Sequence, residues 1–230
     1  MNVRIPTLDG KSELSAYLAI PRRPTAGVVV LQEIFGVNAN MRSVCDFLAS
    51  RQLIALAPDL FWRTEPNLEL AESDIPRALE LRGKADDNLA SDDAAAAMAW
   101  LSKHPSCTGH VGVVGYCWGG MLAYLTAVRH KPEAAVSYYG VGIEQKLGLS
   151  KNLACPLLLH YAELDKYGPP AVVAQVREAY KDDPRVTIYE YKGCDHAFAR
   201  KNGHNFQPYH ADQADMRTLS FLVDKLIGHR

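Results

Sequence analysis

No stretch of the 230-residue sequence reaches the roughly 18 uninterrupted apolar residues that a membrane-spanning helix needs. The opening residues, MNVRIPTLDG, alternate polar and apolar and lack the apolar run of a signal peptide. A charge excess is missing as well. The 25 Lys and Arg stand against 26 Asp and Glu, for a net charge of −1, so electrostatics supplies no reason to expect nucleic acid or an anionic membrane as partner. Cys45, Cys107, Cys117, Cys155 and Cys194 are odd in number, widely spaced and without a C-x-x-C pair. That pattern speaks against a zinc ribbon or a disulfide framework, and a reduced, cytoplasmic compartment is expected. No metal site and no cofactor are expected. With neither an internal repeat nor a low-complexity linker, the chain reads as one domain over residues 1–230, a monomer or small homo-oligomer.

What is present is a regular alternation. The first 21 residues have the pattern of a β-hairpin turning at Asp9-Gly10. AGVVVLQ (26–32) is a short, wholly apolar run, as expected of a strand covered on both faces. Met41, Val44, Phe47 and Leu48 then recur at helical spacing in 41–51, and LIALAPDL (53–60) is a second buried strand. A long polar, helical stretch runs to about His104. Strand patterns at 110–116, 133–140, 155–164 and 186–193 then alternate with helical patterns at 118–130, 169–180 and 213–228. Parallel strands need helix-length crossovers, so the fold class is α/β, a mainly parallel central sheet with helices on both faces and an N-terminal β-hairpin. Ligands in such sheets bind beyond the carboxyl ends of the strands.

One strand end stands out. Gly115-Tyr116-Cys117-Trp118-Gly119 has the G-x-S-x-G spacing of a nucleophile elbow, with a thiol in place of the hydroxyl, and it lies between a clear strand and a clear helix. Free cysteine is commonly an inert buried hydrophobe. At a helix N-terminus, however, the positive end of the dipole favours a thiolate. The glycines suit a strained turn in which neighbouring backbones approach closely. Elbow nucleophiles are followed along the chain by an acid and then a histidine. Asp165, in the loop after LLLHYAEL, and His196, in KGCDHAFAR, hold those places, each after a separate strand. Taken singly, Asp165 reads as a turn former and His196 as a loop residue. Glu163 is a rival acid that reads as part of the strand, and His204 and His210 read as surface residues of a polar loop. The loop after the early strand can supply the second backbone donor of an oxyanion hole, with Ile34 N–H the candidate beside Trp118 N–H. Glu33 closes that apolar strand with a charge, which is unusual unless it points to solvent at the sheet rim. Tyr138 and Tyr139 end the strand after the elbow and are candidates for walls of the pocket, or for simple packing there.

Taken together, QEIFGVN, APDLFWR, VGVVGYCWGG, SYYGVGIE, the Asp of AELD and DHAFAR resemble the dienelactone hydrolase family of α/β-hydrolases, in order and over residues 3 to 228. The resemblance implies a Cys117–His196–Asp165 triad with Glu33 close to the thiol, an oxyanion hole from Ile34 and Trp118, and Phe35 at the substrate. It implies that Arg200 binds a substrate carboxylate, assisted by a second arginine in 75–82, where Arg77 and Arg82 are both candidates. The reference activity of the family is hydrolysis of a cyclic enol-lactone carboxylate, dienelactone, to maleylacetate. Independent chemistry agrees with an enol ester. A thiolate leaves a tetrahedral intermediate more readily than an alkoxide does, whereas an enolate is a good enough leaving group to let the intermediate go forward. Two other classes fit the same sequence. One is a hydrolase-fold binding module without activity; the other is a redox-responsive thiol protein in which Cys155 or Cys194 approaches Cys117 in space.

Overall fold

The computed structural model describes residues 1–228, so the last two residues of the expected domain lie outside the described residues. Strands β1 (Asn2–Pro6) and β2 (Glu13–Ala19) form the antiparallel hairpin, with Asn2 opposite Tyr17 and Pro6 opposite Glu13. Gly10 takes φ 68° in its turn, a conformation glycine adopts without a Cβ clash. Strand β2 then joins the main sheet antiparallel to β4 (Ile54–Pro58). The remaining strand pairs are parallel, through β3 (Thr25–Leu31), β5 (Cys107–Tyr116), β6 (Ala135–Tyr138), β7 (Leu157–Ala162) and β8 (Val186–Tyr191). The strand order is β1-β2-β4-β3-β5-β6-β7-β8.

Successive residues of the central strands feed two different cores, as the two-residue period of a strand requires. Val29 and Leu31 pack with helices α3 (Asp87–Ser102), α4 (Trp118–His130) and α5 (Pro170–Ala179) on one face. Val28 and Val30 pack with α1 (Ala39–Ser50) and α6 (Pro208–Leu226) on the other. Burial on both faces is why these strands are continuous apolar runs. This is the architecture of an α/β-hydrolase.

Several elements differ from the sequence expectation, among them a 3₁₀ helix at Ile143–Asn152 and an earlier start of β5 at Cys107. The polar stretch before His104 is broken into a 3₁₀ turn at Glu72–Asp74, α2 (Ile75–Lys84) and α3. The break falls at Asp86, whose carboxylate caps α3 by accepting from the N–H groups of Asn88 (2.7 Å) and Leu89 (3.1 Å). Helix α6 begins at Pro208 rather than 213, with the proline in the first turn where its missing N–H leaves no bond unmade. Strand β6 stops at Tyr138 because Tyr139 turns to φ 40°.

Candidate active site

Cys117 follows β5 and is the N-cap of α4, with φ 56° and ψ −117°, outside the regions that a residue bearing a Cβ ordinarily occupies. The turn is imposed by its neighbours. A Cβ on Gly115 would overlap the Gly119 carbonyl and stand 2.9 Å from Gly120 N; one on Gly119 would overlap the Leu31 carbonyl and lie 2.5 Å from that of Gln32. Glycine at both positions therefore lets the first turn of α4 sit against the exit of β3. Ile34 lies in the turn after β3, and Trp118 is the first residue of α4. Trp118 N–H, in the first helical turn, has no carbonyl four residues earlier within the helix to meet. The cysteine is 8% exposed.

His196 follows β8, and its Nδ1 lies 2.7 Å from Asp165 Oδ2. Asp165 is buried in the loop after β7, where its other oxygen accepts from Tyr167 N–H at 2.8 Å. Cys117 lies close enough for its charge to act on the imidazole. Burial opposes a charged imidazole, but the negative charge of a Cys117 thiolate and the hydrogen bond and charge of Asp165 outweigh it and raise the pKa of His196 to about 10. Tyr139 and Tyr167 hold the ring edge-on from two sides, at centroid distances of 5.2 and 5.0 Å. The Asn205 side chain donates to the His196 carbonyl at 3.0 Å and ties the loop beneath it.

An ionic cluster surrounds the buried Arg200. Arg200 Nε donates to Glu33 Oε2 at 2.8 Å, and Arg200 Nη1 stands 2.8 Å from Glu72 Oε1. The guanidinium lies over the Phe35 ring, 4.8 Å from its centroid. Burial disfavours the guanidinium charge, yet Glu33 and, more weakly, Glu72 hold it protonated beyond its ordinary range. Glu33 is 1% exposed, and its Oε1 has no hydrogen-bond partner. Far from pointing to solvent, Glu33 is turned inward. The hydroxyl of Tyr139 is likewise buried and without a partner, and Tyr139 senses the charges of Glu33, Arg200 and Cys117.

Other expected residues lie elsewhere. Tyr138 does not wall this site. Its hydroxyl is bonded to Thr218 Oγ1 (2.7 Å) and Asp215 Oδ1 (3.1 Å) on α6, in a buried network that includes His160. Strand alternation sends it to the α6 face, while Tyr139, past the strand end, turns its ring to that of His196. Arg77 is drawn away by ion pairs with Glu65 and Glu80 on the exposed side of α2. Arg82 pairs with Asp87 at 2.7 Å and stacks over the Trp118 indole, whose Nε1 donates to the same Asp87 oxygen at 3.0 Å. It therefore braces the elbow from behind. Glu163 lies just past β7, and its carboxylate accepts from Gly193 N–H at 2.8 Å. His204 is exposed, whereas His210 belongs to α6 and meets the Tyr191 ring. Glu72 and Tyr167 were not visible as site residues in the sequence, because neither carries a motif. Among the described residues no group of His, Cys, Asp and Glu side chains could hold a metal ion, and no helix is long and apolar enough to cross a membrane.

Residues 14–226 match the model of the dienelactone hydrolase family. The chain is 35% identical to a carboxymethylenebutenolidase of Pseudomonas sp. strain P51, with 93% of this chain and 91% of the relative aligned. It is 33% identical to the carboxymethylenebutenolidase of Pseudomonas putida, over 96% and 95%. Among solved structures, one from Klebsiella pneumoniae assigned to dienelactone hydrolase superposes with a TM-score of 0.87 at 26% identity, covering 97% of this chain and 98% of the other. A thiol in a strained strand-to-helix turn, a buried Asp–His pair and this likeness along nearly the whole length lead to one conclusion: the chain belongs to the dienelactone hydrolase family and is a carboxylic ester hydrolase.

Proposed function

We propose that the protein hydrolyses activated lactones or esters, enol esters above all, through Cys117, with dienelactone or a related small anionic lactone as substrate. The observation that carries the reading is the strained conformation of Cys117 at the head of α4, within reach of a histidine already bound to a buried aspartate. His196 takes the thiol proton, and the sulfur bonds to the acyl carbon. The resulting oxyanion is met by the N–H groups of Ile34 and Trp118. The C–O bond to the enol then breaks, the enolate taking the electron pair and the proton held by His196. Water, deprotonated by His196, cleaves the thioester and returns the thiol. Asp165 keeps the imidazole in the productive tautomer and stabilises its charge.

Arg200 is the cation for a substrate carboxylate, with Phe35 and Tyr139 beside it. Glu33 shares Arg200 in the resting site. The same reading has the enzyme act in the cytoplasm, as a monomer or small homo-oligomer. Mass spectrometry during turnover of p-nitrophenyl acetate and of dienelactone provides the test. The expected result is an acyl adduct on the Cys117 peptide and none in Cys117→Ala. Turnover by a folded Cys117→Ala protein would refute the nucleophile, and absence of any hydrolysis by the wild type would favour a binding module.

A further inference from the structure

The Arg200 guanidinium has two edges that can grip a carboxylate with two parallel hydrogen bonds. One is the side pair Nε and Nη2, the other the end pair Nη1 and Nη2. Glu33 takes Nε and Glu72 takes Nη1, so each edge already has one arm engaged. A third carboxylate finds no complete fork unless one of the two withdraws. They are unequal in freedom. The Glu33 side chain is 2% exposed at the foot of the site, whereas that of Glu72 is 37% exposed on the 3₁₀ turn Glu72–Asp74. Moving Glu33 out would strand a buried charge; moving Glu72 out returns a half-wet carboxylate to water. Glu72 also bridges two segments, because its Oε2 accepts from His204 N–H at 3.2 Å, in the loop that follows the catalytic histidine. The clasp thus closes the Arg200 side of the site, between the turn before α2 and the loop before α6.

We infer that Glu72 is an internal competitor for the substrate's carboxylate, and that it sets the enzyme's selectivity between anionic and neutral esters. An anionic substrate exchanges one negative charge for another at the Nη1–Nη2 edge, leaving the local charge balance as it was and opening the clasp to His204. A neutral ester has nothing with which to displace Glu72, and it meets a site whose cation is already satisfied. The inference rests on Arg200 being the subsite for a carboxylate.

The experiment uses the full chain with p-nitrophenyl acetate as reporter and maleate as a non-reacting dicarboxylate inhibitor, and then dienelactone as substrate. For Glu72→Ala, maleate inhibition is expected to tighten by about three- to tenfold, the scale on which one partly exposed ionic competitor is lost. The ratio of dienelactone to p-nitrophenyl acetate kcat/KM should rise in the same proportion, mainly through KM. Glu72→Gln keeps the shape and the acceptor while removing the charge, and should lie between wild type and alanine; it also serves if the alanine variant folds poorly. An unchanged maleate constant in both variants, with Arg200→Ala weakening it, would overturn the role of Glu72 while leaving Arg200 as the anion site. No maleate inhibition of any variant, with ester hydrolysis intact, would instead remove the anion subsite itself and with it this inference, but not the Cys117 chemistry.

Discussion

Adding one methyl group at Gly119 tests whether the elbow is set by contact with β3. The added Cβ would overlap the Leu31 carbonyl and stand 2.5 Å from the Gln32 carbonyl. A comfortable carbon–oxygen separation is about 3.3 Å, so the start of α4 must retreat from β3 by roughly 1 Å, because both obstacles are backbone and neither can rotate away. Overpacking of this kind costs about 1–3 kcal/mol, and more where backbone meets backbone. The functional effect is predicted to be larger than the loss of stability alone. Retreat of α4 separates Trp118 N–H from Ile34 N–H, and a misplacement of about 1 Å of a catalytic group can lower the rate about 100-fold. For Gly119→Ala we expect kcat with p-nitrophenyl acetate to fall by about two orders of magnitude in protein that still unfolds cooperatively, with the midpoint lowered by several degrees. Circular dichroism melting and steady-state kinetics on one preparation make the measurement. Wild-type kcat would refute the placement of the oxyanion site between β3 and α4, and an unchanged midpoint would show that the helix start has slack.

Further outcomes follow from the charges. Iodoacetamide near neutral pH should label Cys117 first by peptide mapping, since burial pushes Cys155 and Cys194 up to about 11 and Cys45 higher still. Asp165→Asn should lower kcat/KM by about three orders of magnitude or more, by loss of the tautomer and charge support, with little change in KM. His196 has a folded pKa near 10 against an unfolded value of 6.5, so its charged form stabilises the fold fully below about pH 6.5. That contribution is lost as pH rises through about 10. The alkaline limb of kcat/KM should fall there too, and move to lower pH in Asp165→Asn; a limb unmoved by that change would assign it to another group. Arg200→Ala strands Glu33, and the loss of stability is expected to be about 3 kcal/mol by urea titration, partly recovered by adding Glu33→Gln. An Arg200→Ala protein as stable as wild type would mean the pair is hydrated.

The elements that could be placed from sequence owe their legibility to local causes. Wholly apolar runs, glycines two before and two after Cys117, and polar residues just past strand ends all report on their own few neighbours, which is why α4, the elbow and the loops of Asp165 and His196 could be placed. Tyr138 and Tyr139 show the limit. They are adjacent and chemically alike, and only the turn of Tyr139 to φ 40° sends one to the His196 ring and the other to α6. Arg77 and Arg82 were equivalent in sequence; their carboxylate partners, Glu65 and Glu80 for one and Asp87 for the other, decided that neither faces Arg200. The Glu33–Arg200 pair joins residues 167 apart, and Glu72 meets His204 across 132. The sequence by itself determined the α/β class, the elbow and the order of its partners, because hydrophobic period and backbone sterics act over short spans. Tertiary structure decided which charges meet around Arg200, because Coulomb and hydrogen-bond energies depend on distances that only the packed sheet sets.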